Sequence, residues 1–578
     1  MFPFCLPGLG SFFLFCSESV GADAPTVRLS YGTFRGFTAG NVTEYLGVPF
    51  ASASRFETPK PPKELPGVQD ATSFGPACPQ QALSPLPGIP FARPVYPSIS
   101  EECLTLDVFT PSKTHNLSKL PVFVWIHGGA YQYGNSRDKD VTAIVARSIE
   151  TGEPIIAVAL NYRVSAFGFL PGKEVGAAGV GNLGLRDQIF ALEWVNKQIR
   201  AFGGDPKRVV IGGLSAGSVS ATTLLLSNKQ NSSALFRGAF LESGSQIPTP
   251  TLQDGQPVYD GLVAANNCSS ASDTLDCLRR VPFDSFMATV NNTQNMFSYQ
   301  SLSIIWRPYI DGDVVERALS ASVSQGLYAK VPIMTGSCDD EGTLFSISTS
   351  NITTNAEFLD YVHSNYLPKS SQDEISSIGS LYPEDPAQGS PFDTGTANQL
   401  SPQYKRLAAF QGDFIFTAPR RFLLEHASPT QNTWGWCKLH GLISSGASSH
   451  YLIVSKLGKD ASPLGTLHAG DVGVWRSVNF INTLNPNMPA EHATEDAKLS
   501  VLWPQWKTPS ESGSSSLLTL TDNNGTIITA DDFRLEPIRF LNNLLLEEAD
   551  TQYFHPVLRR LLVRFKFWFN SVFMIFPL

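Results

Sequence analysis

Charge is scarce in this chain. Lys, Arg, Asp and Glu make up only 16% of its 578 residues, and acids outnumber bases to leave a net charge of −9. Binding of nucleic acid needs a basic face that displaces counterions from phosphates, so that class of partner is excluded. No Cys-x-x-Cys pair and no cysteine–histidine cluster has the spacing of a zinc site, so no metal or other cofactor is implied. Gly/Ser linkers, charge blocks and internal repeats are also missing. Length alone would suggest about three or four domains. A hydrophobic fraction of 42% with no break in composition points instead to one large domain with long loops.

No Lys or Arg occurs before Arg28, yet Phe2 to Cys16 is apolar and Ala22-Asp23-Ala24 fits a small-residue cleavage site. Residues 1–24 therefore read as a secretory signal peptide without the usual basic start. Seven Asn-x-Ser/Thr sequons, at Asn41, Asn116, Asn231, Asn267, Asn291, Asn351 and Asn524, agree with export as a glycoprotein. Six cysteines follow the leader, and an oxidising compartment favours bridges. The short separations favour Cys78–Cys103 and Cys268–Cys277, whose loops chain entropy values at roughly 3.5 and 2.7 kcal/mol. Cys338 and Cys437 are left as free buried thiols.

Short β-rich apolar runs recur at 121–127, 154–162, 208–213, 238–243 and 331–337. They are continuous rather than alternating, as expected of strands buried on both faces. Between them, "LRDQIFALEWVNKQIRAFG" places Ile189, Leu192, Val195 and Ile199 on one helical stripe. Strands alternating with helices predict a mostly parallel α/β sheet.

One of these runs ends in "GLSAG", Gly213 to Gly217, and a stretch able to form a helix follows at once. A serine between a buried strand and a helix, flanked by glycines, fits a nucleophile elbow. The sharp turn strains the serine backbone, and neighbouring chain passes too close for bulk at the flanking positions. A hydroxyl is a poor nucleophile at neutral pH, so Ser215 needs a base and the base needs an orienting carboxylate. Downstream, "TGSCDDEGTLF" offers Asp339, Asp340 and Glu341 at a strand end, and spacing does not choose between Asp340 and Glu341. "SPLGTLHAGDVGVW" places His468 in a loop among small residues, whereas His363, His426, His440, His450, His492 and His555 lie in more polar or helical settings. "HGGA", His127 to Ala130, directly follows a strand, and its backbone N–H groups can join that of Ala216 around an oxyanion.

These segments bring out a likeness that covers residues 25 to about 547. "GNLGLRDQIFALEWVNKQIRAFGGDPKRVVIGGLSAGS", "EYLGVPFA", "EECLTLDVFTP", "HGGAY", "NYRVSAFGFL" and "DEGTLF" all contribute to it. The chain resembles the type-B carboxylesterase/lipase family, which includes fungal lipases of the Candida rugosa type, cholinesterases and the non-catalytic neuroligins. The resemblance implies an α/β-hydrolase fold over residues 25–550, with a large, mostly parallel central sheet flanked by helices. It also implies ester hydrolysis through an acyl-enzyme. Ser215 matches the nucleophile, Glu341 the triad acid, His468 the general base, and Gly129, Ala130 and Ala216 the oxyanion donors. Both cysteine pairs match family bridges. The family usually carries Glu before the nucleophile, where this chain has Leu214, and a third oxyanion glycine, where it has Ala130.

Residues 79–102 form a Pro-rich loop with Leu83, Leu86, Ile89, Phe91 and Tyr96 as apolar points, a candidate lid or fixed pocket wall. It lacks the Trp that holds a quaternary ammonium in cholinesterase-like members, which disfavours choline esters. A soluble carboxylesterase and a lipase or sterol esterase working at lipid interfaces both remain open. So does a neuroligin-like binding protein, which the intact set of catalytic residue types disfavours. Residues 551–578 lie beyond the resemblance. Their apolar part after Lys566 is shorter than the ~20 residues that span a bilayer, and their role is unassigned.

Overall fold

The computed structural model describes residues 24–86, 96–112, 119–227, 234–438, 474–487, 501–509, 515–521 and 526–551, together with Leu464, Thr466 and His468. All but the last residue of the candidate signal peptide 1–24, all but the first residue of the tail 551–578, and the middle of the candidate lid, 87–95, lie outside the described residues.

The strands in chain order are β1 (Thr26–Leu29), β2 (Gly32–Arg35), β3 (Phe37–Ala39), β4 (Val42–Pro49), β5 (Val68–Asp70), β6 (Thr105–Pro111), β7 (Leu120–Ile126), β8 (Ile156–Leu160), β9 (Gly204–Leu214), β10 (Gly238–Glu242), β11 (Ile333–Cys338), β12 (Thr433–Lys438), β13 (Ser516–Leu520) and β14 (Thr526–Ala530). β1, β2 and β5 make a small sheet; the others form one sheet of eleven strands in the order β14-β13-β12-β11-β10-β9-β7-β8-β6-β4-β3. Neighbours from β8 through β13 run parallel. Antiparallel pairs close both ends, at β6–β8, β4–β6 and β3–β4 on one side and β13–β14 on the other.

All five apolar runs are strands of this sheet, with ends within a few residues of those expected. Their continuity has the physical cause inferred from it. Along β7, Val122, Val124 and Ile126 enter the core on one face, while Phe123 and Trp125 enter the core on the other. The second core is aromatic: Phe240 stacks on Trp436 at 5.3 Å and lies 6.3 Å from Phe123. Emptying one such site by Trp→Ala would cost about 3–5 kcal/mol.

The predicted helix over 185–203 is Leu183–Gln198, and it tightens into a 3₁₀ turn over Ile199–Phe202 that ends at left-handed Gly203. Its stripe residues Ile189, Leu192, Val195 and Ile199 are all buried. Strand β12, "TWGWCK", escaped the apolar-run reading because Gly435 and Lys438 interrupt its hydrophobic pattern. Every one of its residues is nevertheless buried.

Candidate active site

Strand β9 delivers its last residue, Leu214, straight into Ser215, and the helix Ala216–Leu226 begins at the next position. Ser215 has φ 56° and ψ −124°, a conformation that costs a non-glycine residue on the order of 1–3 kcal/mol. It is held by its backbone: its N–H donates to the Glu242 carbonyl at 2.8 Å, and its carbonyl accepts from Val219 N–H at 2.9 Å. The flanking glycines are a matter of room. A Cβ on Gly217 would lie 2.0 Å from the Ile126 carbonyl oxygen, and one on Gly213 would lie 2.5 Å from the Gly217 carbonyl carbon. The helix N-terminus behind the serine presents unbonded N–H groups and a positive dipole end to any negative charge that develops there.

The loop after β7 lies against this turn, because a Cβ on Gly128 would come within 3.1 Å of Ser215 Cβ. Gly129, Ala130 and Tyr131 all have positive φ, at 109°, 53° and 58°. Gln132 and Tyr133 N–H groups pin the loop by donating to the Gly129 carbonyl at 2.8 and 3.2 Å. The Tyr162 hydroxyl donates to the His127 carbonyl at 2.8 Å. The His127 ring stacks on Tyr162 at 4.3 Å. Burial pushes its pKa down to about 4, so this imidazole is uncharged at neutral pH.

Past β11 the chain turns through Asp339, Asp340 and Glu341. Glu341 is buried, with Oε1 accepting from Cys338 N–H at 2.7 Å and Oε2 lying 2.5 Å from His468 Nδ1. The His468 ring packs against Phe416 at 4.7 Å and Phe345 at 5.4 Å. With Nδ1 engaged by a carboxylate, the network assigns the proton to that nitrogen. Nε2 is buried and, among the described residues, makes no hydrogen bond, to Ser215 or to any other. Asp340 faces elsewhere, accepting from Thr466 N–H, Ser390 Oγ and Phe392 N–H, each at 2.8 Å. Of the two carboxylates that spacing left open, Glu341 is the one that meets the imidazole.

Several neighbours carried no signal in the sequence. Phe416 comes from a π-helical turn, Asp413–Thr417, set between the helices Tyr404–Gly412 and Ala418–Ala427. Such turns concentrate at functional sites. Its first residue, Asp413, is held by Arg534 at 2.8 Å and by the Tyr382 hydroxyl at 3.0 Å. Glu242, also buried, stands in register with Leu214 on the neighbouring strand, so a carboxylate lies one strand away from the position where the family usually has one. Lys139 Nζ approaches it at 4.0 Å.

Both expected disulfides are formed, Cys78–Cys103 and Cys268–Cys277, and Cys338 and Cys437 are buried and belong to no disulfide. Burial pushes the Cys437 thiol up, which keeps it unreactive. In the loop 79–102, Leu83 and Leu86 belong to the core rather than to a free flap. The Gln81 side chain fastens this end by donating to Thr293 Oγ1 at 2.9 Å, and Tyr96 Oη donates to Asp138 at 2.7 Å at the other. Ile89 and Phe91 lie outside the described residues. Asn41, Asn267, Asn291 and Asn351 are exposed, whereas Asn116, Asn231 and Asn524 lie outside the described residues.

A mostly parallel sheet with a strained serine between strand and helix, and a histidine–carboxylate pair on later loops, is an α/β-hydrolase architecture. The solved structure of Aspergillus niger EstA superimposes on the chain with a TM-score of 0.73 at 27% identity, covering 90% of this chain and 98% of that one. A model of the carboxylesterase family matches residues 23–436. Secreted triacylglycerol lipase LIP1 of Gibberella zeae is 34% identical over 89% of this chain and 90% of its own length. Lipase 4 of Diutina rugosa is 36% identical over 86% and 92%. Secreted lipase 1 of Botryotinia fuckeliana is 35% identical over 89% and 92%. The chain belongs to the carboxylesterase family.

Proposed function

We propose that the protein is a secreted serine carboxylic-ester hydrolase whose domain spans residues 25–550. The observation that carries this reading is the buried Glu341–His468 pair, which leaves Nε2 unspent in a fold that also presents the strained Ser215. His468 Nε2 takes the hydroxyl proton as Ser215 Oγ attacks the ester carbonyl. The oxyanion forms among the N–H groups of Gly129, Ala130 and Ala216. The C–O bond breaks, the alcohol leaves with the proton from His468, and the acyl group stays on Ser215. Water then attacks the acyl-enzyme, giving its proton to the same imidazole; the bond to Ser215 Oγ breaks, His468 returns the proton to that oxygen, and the carboxylic acid leaves. Glu341 holds the ring and stabilises its charged form. Preorganised donors at the oxyanion are worth about 3–4 kcal/mol each.

Lipid esters are the favoured substrate class, because the relatives in Gibberella, Diutina and Botryotinia are named lipases. Two of those names include secretion, in agreement with the apolar leader and the exposed sequons. The test is hydrolysis of p-nitrophenyl esters of increasing acyl length by the purified protein, with and without an emulsion surface. Turnover that disappears in Ser215→Ala is expected, with a rise at the interface. A protein that neither hydrolyses these esters nor reacts with a fluorophosphonate would instead be a binding protein on the same scaffold.

A further inference from the structure

His468 sits in neither helix nor strand, so something other than its own secondary structure must hold it. Three alternate residues of its loop are each caught by a residue of the segment after β11. The Leu464 carbonyl accepts from Thr343 Oγ1 at 2.7 Å, Thr466 is bonded to Asp340, and His468 meets Glu341. The middle contact is two-way: Thr466 N–H donates to Asp340 Oδ2 at 2.8 Å, and Asp340 N–H donates to the Thr466 carbonyl at 3.2 Å. The other oxygen of Asp340 accepts from Ser390 Oγ and Phe392 N–H, both at 2.8 Å. Those two donors fix the carboxylate rotamer so that Oδ2 points at the histidine loop. A residue with no exposed surface has given each of its carboxylate oxygens to this purpose.

We propose that Asp340 is a positioning residue for the hydrolytic reaction. Its carboxylate sets the register of Leu464, Thr466 and His468 against the segment that follows β11, and so places the His468 ring where Glu341 can hold it and Nε2 can reach the hydroxyl of Ser215. The proposal rests on the triad reading above. It differs from a purely structural role because it predicts a loss in the chemical step, not in substrate binding.

Asp340→Asn tests it in the full chain. The amide keeps the size, but its NH2 cannot accept a hydrogen bond, so either Thr466 or the Ser390/Phe392 pair is turned away. Measured on p-nitrophenyl butyrate, kcat is expected to fall ~100-fold, the scale of an angstrom-sized misplacement, with KM unchanged. Fluorophosphonate labelling of Ser215 should slow in parallel, in protein whose thermal unfolding remains cooperative. Unchanged kcat and labelling, or a loss carried by KM alone, overturns the proposal. Ser215→Ala separates the two readings. If it is inactive while Asp340→Asn retains full kcat, only the positioning role fails; if it retains turnover, the triad reading itself fails. Should Asp340→Asn not fold, Thr343→Val removes the neighbouring tie to Leu464 at nearly constant volume. There a kcat reduced about tenfold at unchanged KM supports the register argument, and unchanged kcat contradicts it.

Discussion

Ser215 and His468 are held in opposite ways. The serine is positioned by its immediate neighbours: a strand of eleven residues before it, a helix of eleven residues after it, and two glycines that let other backbone pass. The histidine has no regular element of its own and is held from outside, by Glu341, by the rings of Phe345 and Phe416, and through Thr466 by Asp340. The difference teaches that local strain and remote clamping fail differently. Damage to the serine turn should show as a folding defect, because the strained turn is built into the sheet. Damage to the histidine loop should show as lost chemistry in a protein that still folds.

The largest effects should come from the reacting groups themselves. Ser215→Ala and His468→Ala are each expected to lower kcat by roughly 10⁶-fold, and the double variant by little more, since residues that act as a unit are not additive. Additive losses would break the pairing of the two regions. Glu341→Gln should cost ~10⁴-fold while leaving the melting temperature close to that of the parent, because the ring loses its partner but not its packing. On the serine side the prediction inverts. Gly217→Ala places a methyl group 2.0 Å from the Ile126 carbonyl oxygen and should destabilise by about 1–3 kcal/mol, read by urea unfolding.

The smallest expected effect is one of pH. His127 lies beneath the same turn, and burial lowers its pKa to about 4. Its folded-state pKa is below the unfolded value of ~6.5, so the stability it contributes is complete above that pH and is lost as pH falls toward 4. The His127 contribution should shrink by about 2 kcal/mol between pH 7 and pH 5. His127→Phe, which keeps a ring against Tyr162, should flatten that dependence. An unchanged slope would remove His127 from the stability of the serine side.

The same contrast decides what could be read from the sequence. The strand, the small-residue turn, the helix and the His-Gly-Gly-Ala loop are short-range patterns. Each residue type there answers a constraint set within a few positions, and so Ser215, Gly129, Ala130 and Ala216 stand out in the sequence itself. The contact of Glu341 with His468 spans 127 residues and that of Asp340 with Thr466 spans 126. No periodicity encodes such a closure, which is why residue spacing left Asp340 and Glu341 equivalent and only family likeness favoured Glu341. Phe416 was hidden for a related reason: a π-helical turn inside a helix buried all round, on polar and apolar residues alike, leaves no mark in the hydrophobic pattern. Strand β12 was missed because its glycine breaks an apolar run; a Cβ on Gly435 would meet Leu517 and Trp506 at about 3 Å. The division of labour between Asp340 and Glu341 could only come from the directions of their side chains.

The most direct test of the central claim is to treat the protein with a fluorophosphonate, digest it, and find by mass spectrometry which residue carries the phosphonyl group. The account predicts a single adduct on Ser215, formed rapidly in the parent and far more slowly in His468→Ala. An adduct on any other residue, or labelling of Ser215 at the same rate without the imidazole, would contradict it.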